Sequence, residues 1–350
     1  MAIRKRKSRK KKGSGAAGVL LGIFLVVLLA LICAAGAAVW IARVPFGPDS
    51  ETFVELTPGS TTATIGRDLE DAGIVRSRYI FDLLRFYKRG TLRAGEYRFD
   101  HPASVVEVYN RIVRGDVYTK SVTVPEGANI FEIAARLEQA GLGTRQQFLD
   151  AAVEQARLVA DFDPGAASLE GYLFPDTYRF QRKTTAAQIA AAMVHRFRVV
   201  AAEIGLKENV HAVVTMASLV ERETAVDAER PMVASVFFNR LAKNMPLATD
   251  PAVIYGLELE GRWRGTIYHS DLAHDTPWNT YLHAGLPPGP IANPGIRSLR
   301  AAMHPAKSDY LYFVAAGVNA QGSTVFSRTL DEQNHNVAGY RHALKKAGKR

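Results

Sequence analysis

Two glutamates stand at the end of one apolar segment, Val210-His211-Ala212-Val213-Val214-Thr215-Met216-Ala217-Ser218-Leu219-Val220-Glu221-Arg222-Glu223-Thr224. Val210, Val213, Val214, Ala217 and Val220 recur at three- and four-residue steps, the spacing of an amphipathic helix. Ala217 and Val214 lie four and seven residues before Glu221, so that carboxylate is expected on the flank of the apolar stripe, near the helix end. Glu223 falls about 200° further round and is expected to face elsewhere as a structural partner. A half-buried carboxylate is costly unless it is paired or held protonated. Apolar neighbours and the negative end of the helix dipole both favour the protonated form, which suits a general acid. The alternative for Glu221 is an ion pair with Arg222 or Arg230.

Further polar groups fall in compact motifs. Glu170-Gly171-Tyr172-Leu173-Phe174-Pro175-Asp176-Thr177-Tyr178 carries two carboxylates among aromatics. Asp176 reads equally well as a second acidic group or as the anchor of an Asx-turn after Phe174-Pro175. Thr249-Asp250-Pro251, Asn279-Thr280-Tyr281 and Gly285-Leu286-Pro287-Pro288-Gly289-Pro290-Ile291 lie in a loop-rich region from Met245 to Pro294, whose aromatics (Trp263, Tyr268, Trp278, Tyr281) argue for order. His269-Ser270-Asp271 and His274-Asp275 lack helical spacing and a third ligand, so they read as solvated polar residues and not as a metal site. The chain has no P-loop, no G-x-S-x-G and no H-E-x-x-H motif. No metal and no cofactor is expected.

These motifs sit on a repeated framework. Val54-Glu55-Leu56-Thr57-Pro58-Gly59 is echoed 68 residues later by Val122-Thr123-Val124-Pro125-Glu126-Gly127, and the same offset pairs Ile65 with Ile133, Leu69 with Leu137 and Gly73 with Gly141. Each copy reads as a strand, a glycine turn, a helix ending at Ala-Gly and a second helix (Tyr79–Tyr87; Gln146–Glu154). A weaker echo follows: Ala94–Phe99 before a helix at Ser104–Val113, and Glu170–Tyr178 before a helix at Thr185–Phe197. Beyond the Glu221 segment come a helix at Pro231–Lys243, another near Ser298–Met303, a strand at Tyr310–Ala315 and a final helix from Leu330.

The formal charge of +10 looks like a nucleic-acid signal, but Arg4–Lys7 and Arg9–Lys12 supply eight of those charges and leave the remainder nearly neutral. No nucleic-acid partner is expected. Ala16 to Ala42 carries no charge and is long enough to cross a bilayer core of about 30 Å. With the basic cluster just before it, the N-terminus is expected in the cytoplasm and everything after Arg43 outside the cytoplasmic (inner) membrane. A cleaved signal peptide is the rival reading, disfavoured by the length of the run and by Val39-Trp40-Ile41 beyond its small residues. The one cysteine, Cys33, lies within the span, which excludes disulfides and thiol chemistry outside the membrane.

The motifs around Glu170, Ala217–Thr224, Thr249–Pro251, Asn279–Tyr281, Gly285–Ile291 and His304-Pro305-Ala306-Lys307 resemble, in one order over Phe53 to Tyr340, those of the endolytic murein transglycosylase (YceG-like) family. Trp278 departs from the Tyr that the family commonly carries before Asn-Thr-Tyr, and His269–Asp275 follows no family pattern. The resemblance implies a membrane-anchored lytic transglycosylase that cleaves MurNAc-β-1,4-GlcNAc bonds and leaves 1,6-anhydroMurNAc ends. It also implies that such an enzyme ends strand elongation beside penicillin-binding proteins. The implied fold class is α+β: a basic arm (1–15), a transmembrane helix (16–42), a LysM-like glycan-binding module (52–119), a mixed α/β catalytic domain (120–343) and a basic tail (344–350). The family's catalytic glutamate maps onto Glu221. Glu170 would bind substrate or support the site, and Asp176, Asp250, Asn279 and Tyr281 are candidate sugar contacts. One carboxylate suffices when the substrate's own 6-hydroxyl attacks the anomeric carbon. The rivals are a muramidase, which needs a second carboxylate, and a non-catalytic glycan-binding scaffold.

Overall fold

The computed structural model describes residues 14–317 and 323–348, so most of the basic arm and the last two residues of the tail lie outside the described residues. The chain divides into two compact units, 1–118 and 119–350.

The first unit contains α1 (Ser14–Arg43), β1 (Thr52–Leu56), α2 (Thr62–Asp71), α3 (Arg78–Lys88), β2 (Gly95–Phe99) and α4 (Val105–Arg114). From Gly18 to Arg43, α1 is long and apolar enough to cross a membrane, and none of it is buried against protein. β1 and β2 pair antiparallel, with Val54 opposite Tyr97. Leu56, Leu69, Phe81, Tyr97, Phe99 and Ile112 fill the core between this ribbon and the helices. Ser104 and Glu107 close a reciprocal capping box at the start of α4, which fixes where that helix begins.

The second unit repeats this order and then extends it. β3 (Lys120–Thr123), α5 (Ile130–Gln139), α6 (Arg145–Glu154), β4 (Thr177–Phe180) and α7 (Ala186–Ile204) correspond to β1, α2, α3, β2 and α4. β3 pairs antiparallel with β4, Val122 opposite Tyr178. There follow α8 (Val210–Glu223), α9 (Arg230–Ala242), α10 (Asp250–Leu259), the short α11 (His269–Leu272), α12 (Ile296–Met303), the hairpin β5 (Tyr312–Ala315) and β6 (Thr324–Ser327), and α13 (Leu330–Ala347).

Two features depart from expectation. The region Met245–Pro294, read as loops, contains α10. That helix buries Ala252, Val253, Tyr255, Gly256 and Leu257, so it is apolar around most of its circumference and shows no helical periodicity. The polar run after His269 is also less solvated than expected: Asp271 is buried and accepts hydrogen bonds from Arg264 Nη2 (2.9 and 3.0 Å) and Tyr268 N (2.9 Å).

α8 is the central helix of this unit. Every residue from Val214 to Val220 is buried, and α9, α10 and α12 pack around it. The Gly285–Ile291 loop is seated on it: Ser218 Oγ accepts from Ile291 N (3.1 Å) and donates to Thr215 O (2.7 Å). Gly171, at φ +88°, permits that seat. A Cβ there would come within 2.5 Å of Pro290 Cγ and 2.7 Å of Val214 Cγ1, so both the backbone angle and the space demand glycine.

Candidate active site

The two glutamates at the end of α8 have different surroundings. Glu221 Oε1 accepts from Arg230 Nη1 at 2.6 Å, with both side chains about 5 % exposed, and Oε2 accepts from Gly295 N at 2.9 Å. Arg230 also donates to Asp227 Oδ1 (3.0 Å) and Ser298 Oγ, and Arg297 pairs with Asp227 from α12. Glu126 completes the cluster, its carboxyl raised by burial and by the charge of Glu221. Gly295 packs against that carboxyl so closely that a Cβ would lie 2.0 Å from Glu126 Oε1. The ion pair with Arg230, the alternative open in the sequence, is therefore the geometry found. It ties α8, α9 and α12 together.

Glu223, the last residue of α8, lines a cavity of about 170 Å³ with Phe237, Arg240, Leu247, Ala248, Asp250, Tyr281 and Phe313. Burial pushes its carboxyl up to about 7, against the Thr249 hydroxyl; the charge of Asp250 adds to the rise and that of Arg240 opposes it. The surroundings expected of the two glutamates are thus exchanged. α8 is enclosed from Val214 to Val220, so angular position along it does not separate a buried from an exposed carboxylate. What separates the carboxylates is their partners: Glu221 is held by a buried cation, and Glu223 faces a cavity.

Each wall of that cavity has a clear origin. Asp250 stands in the first turn of α10, where Pro251 suits the helix start and a negative charge complements the dipole. Its Oδ1 accepts from the Tyr281 hydroxyl at 2.7 Å, and burial together with that hydrogen bond raises the phenol. Arg240 on α9 donates Nε to Leu311 O (2.7 Å) and Nη1 to Leu247 O (2.8 Å), so it joins the Leu247–Asp250 segment to the approach to β5. Burial lowers its affinity for a proton. Phe237 and Phe313 meet edge to face, with centroids 5.9 Å apart, and form an apolar side.

Of the expected site residues, Asp250 and Tyr281 share this cavity with Glu223, and the others lie elsewhere. Glu170 is fully enclosed: Oε2 accepts from Ile130 N (2.9 Å), Oε1 accepts from Asn293 Nδ2 (2.7 Å), and burial pushes the carboxyl up to about 8. Of the two roles open to it, substrate contact or support, its enclosure fits support: it braces the start of α5 against the loop before α12. Asn279 is also fully buried, donating to Leu272 O (3.0 Å) and His274 O (2.8 Å) and accepting from Tyr281 N (3.0 Å). It shapes the loop that presents Tyr281 and has no surface to offer a sugar. Asp176 pairs with Arg196 at 2.7 Å and caps Thr177 N at 2.7 Å, outside the Glu223 cavity. Phe237, Arg240 and Phe313 carried no motif in the sequence, and only the fold brings them to the site.

Comparison with known proteins places the chain among relatives. The profile of the YceG-like family matches residues 54–339. A protein of Bacillus subtilis (strain 168) named endolytic murein transglycosylase is 35 % identical over 313 residues, covering 83 % of this chain and 85 % of that protein. A protein of the same name from Streptococcus pneumoniae (strain ATCC BAA-255 / R6) is 31 % identical over 358 residues; the match covers 90 % of this chain but 64 % of the longer pneumococcal protein. The crystal structure of a putative yceG-like protein, lmo1499, from Listeria monocytogenes aligns with a TM-score of 0.55 at 34 % identity, covering 82 % of this chain and 99 % of that one.

Proposed function

Because the chain belongs to the YceG-like family, we propose that it is a membrane-anchored endolytic murein transglycosylase in which Glu223 is the acid–base residue. The observation that carries the assignment of the residue is a carboxyl pushed up to about 7 at the wall of a cavity. A group with that affinity holds its proton near neutral pH and can also release it, as one residue serving both halves of the reaction must.

In the proposed reaction, protonated Glu223 gives its proton to the glycosidic oxygen between MurNAc and GlcNAc as the bond from that oxygen to the anomeric carbon breaks. The 6-hydroxyl oxygen of the same MurNAc then bonds to the anomeric carbon, and its proton passes to the Glu223 carboxylate. The enzyme returns to its starting state, no water is consumed, and the product carries a 1,6-anhydro end. Asp250, with Tyr281 hydrogen-bonded to it, is placed to bear on the positive charge that develops at the anomeric carbon. Glu221 belongs to the ion cluster that holds the end of α8 in place.

Mass analysis of the products tests the reaction class. Ends one water lighter than a reducing MurNAc support transglycosylation, whereas reducing ends would mean a muramidase. Intact strands, with glycan still bound, would mean a scaffold. The apolar α1 supports a single-pass anchor with the remainder outside the cytoplasmic membrane, and the basic arm before it supports that orientation. The strand–helix–helix–strand–helix unit at 52–119 is read as a LysM-like module that holds glycan. Held beside the membrane, the site would meet strands as they leave their synthases, penicillin-binding proteins among them, and end their elongation.

A further inference from the structure

α3 carries two apolar faces, and the core of the first unit uses one of them. Phe81 is buried, and Ile80 and Leu84 pack against the same core. On the other side, Tyr79, Leu83, Phe86 and Tyr87 are 67, 57, 74 and 83 % exposed. Their spacing of i, i+4, i+7 and i+8 gathers them in one stripe along the helix. Arginines border the stripe: Arg78 lies over the Tyr79 ring, 4.9 Å from its centroid, and Arg76 and Arg89 flank the helix, whereas Arg85 faces the Thr57–Ile65 side and Lys88 donates to Asn110 on α4 (3.1 Å). The single acid of the helix, Asp82, turns towards Gly66 on α2 and so away from this stripe.

The position of the stripe indicates what covers it. The guanidinium of Arg76 lies 5.6 Å from the ring centroid of Trp40, in the last turns of α1, and 4.9 Å from that of Phe46. Phe46 is fixed to the same unit by a pair of 3.0 Å backbone hydrogen bonds with Ala103. The start of α3 is therefore tied to the end of the apolar run that carries Trp40, where a spanning helix meets the headgroup layer. Tyrosine, phenylalanine and leucine flanked by arginine are the composition of a helix face lying in that layer, and the arginines match anionic phospholipid headgroups.

We propose that the outward face of α3 seats in the headgroup layer of the bilayer that α1 crosses, as a second, interfacial anchor. The proposal rests on the reading of α1 as a membrane span. Seated in this way, α3 would limit the swing of the first unit about the short connection after Arg43.

Nitroxide accessibility in the full-length protein tests this, with Cys33→Ser as background and vesicles of phosphatidylethanolamine and phosphatidylglycerol. Single labels replace Leu83 on the stripe, Arg67 on the exposed side of α2, and Leu28 within α1. The expected result is a Leu83 label about 5–10 Å into the headgroup–acyl boundary, with collision favouring oxygen over a water-soluble nickel chelate. The Arg67 label should remain in water and the Leu28 label in hydrocarbon. A Leu83 label as water-accessible as that at Arg67, with Leu28 still in hydrocarbon, overturns the interfacial anchor and leaves the span standing. A water-accessible Leu28 label removes the span, and the anchor with it. Dipolar broadening between Leu83 labels would assign the face to a second copy of the chain and equally overturn the proposal.

Discussion

Glu221 and Glu223 leave the same helix two residues apart, and the contrast between them shows how a carboxylate becomes a brace or an acid. Glu221 meets a buried arginine and a backbone amide, so both oxygens accept hydrogen bonds and the side chain joins three helices. Glu223 lines a cavity with one apolar side, where desolvation outweighs the neighbouring Arg240 and pushes the carboxyl up to about 7. Burial is common to both, and the placement of the cation decides the outcome.

Several substitutions would break or sharpen that contrast. The largest expected effect is on catalysis: Glu223→Gln removes the titrating proton with little change of shape, and the cleavage rate of glycan strands should fall by roughly 10²–10⁴-fold. The thermal midpoint should hold. Next is stability. Glu221→Gln leaves Arg230 buried without its anionic partner at that position, which should cost about 3–5 kcal/mol in denaturant titration. At a temperature where the variant remains folded, cleavage should persist.

A smaller effect is expected at Glu170. Its carboxyl is raised from 4.5 to about 8, so the folded chain keeps a proton that the unfolded chain has already lost. The associated stability is fully present below about pH 4.5 and is lost as pH rises through about 8. Glu170→Gln should flatten that part of the thermal midpoint against pH. The smallest shift is on the pH axis and belongs to Asp250→Asn, which also slows cleavage because the charge placed against the anomeric carbon is gone. Removing that charge should lower the affinity of Glu223 for its proton and move the alkaline limb of activity to lower pH, by less than about one unit.

Much of the fold could be read from residue order. The 68-residue echo of Val54–Gly59 in Val122–Gly127 corresponds to two strand–helix–helix–strand–helix assemblies, because the repeated apolar positions face equivalent cores. α10 escaped notice because Ala252, Val253, Tyr255 and Leu257 are buried on several sides and erase the period that marks a surface helix. For the same reason the proposed acid stands two residues from the expected one. Spacing along α8 could not rank Glu221 against Glu223 once Val214 to Val220 proved buried throughout. Arg230 and Arg240, which set the surroundings of Glu221 and Glu223, come from a neighbouring helix, and their reach depends on how α9 packs. Glu170 and Asn279 carried the motifs but face the interior, where they hold the loops and helices that present Asp250 and Tyr281.

The pH dependence of kcat/KM for strand cleavage, measured on the wild type and on Glu221→Gln, separates the roles of the two glutamates. An acid that must be protonated in the free enzyme gives a rate that falls as pH rises through its own pKa. A descending limb is expected near pH 7 in the wild type, retained at nearly the same position in Glu221→Gln. A limb that is absent, or that disappears with Glu221 while Glu223→Gln still cleaves, would contradict it.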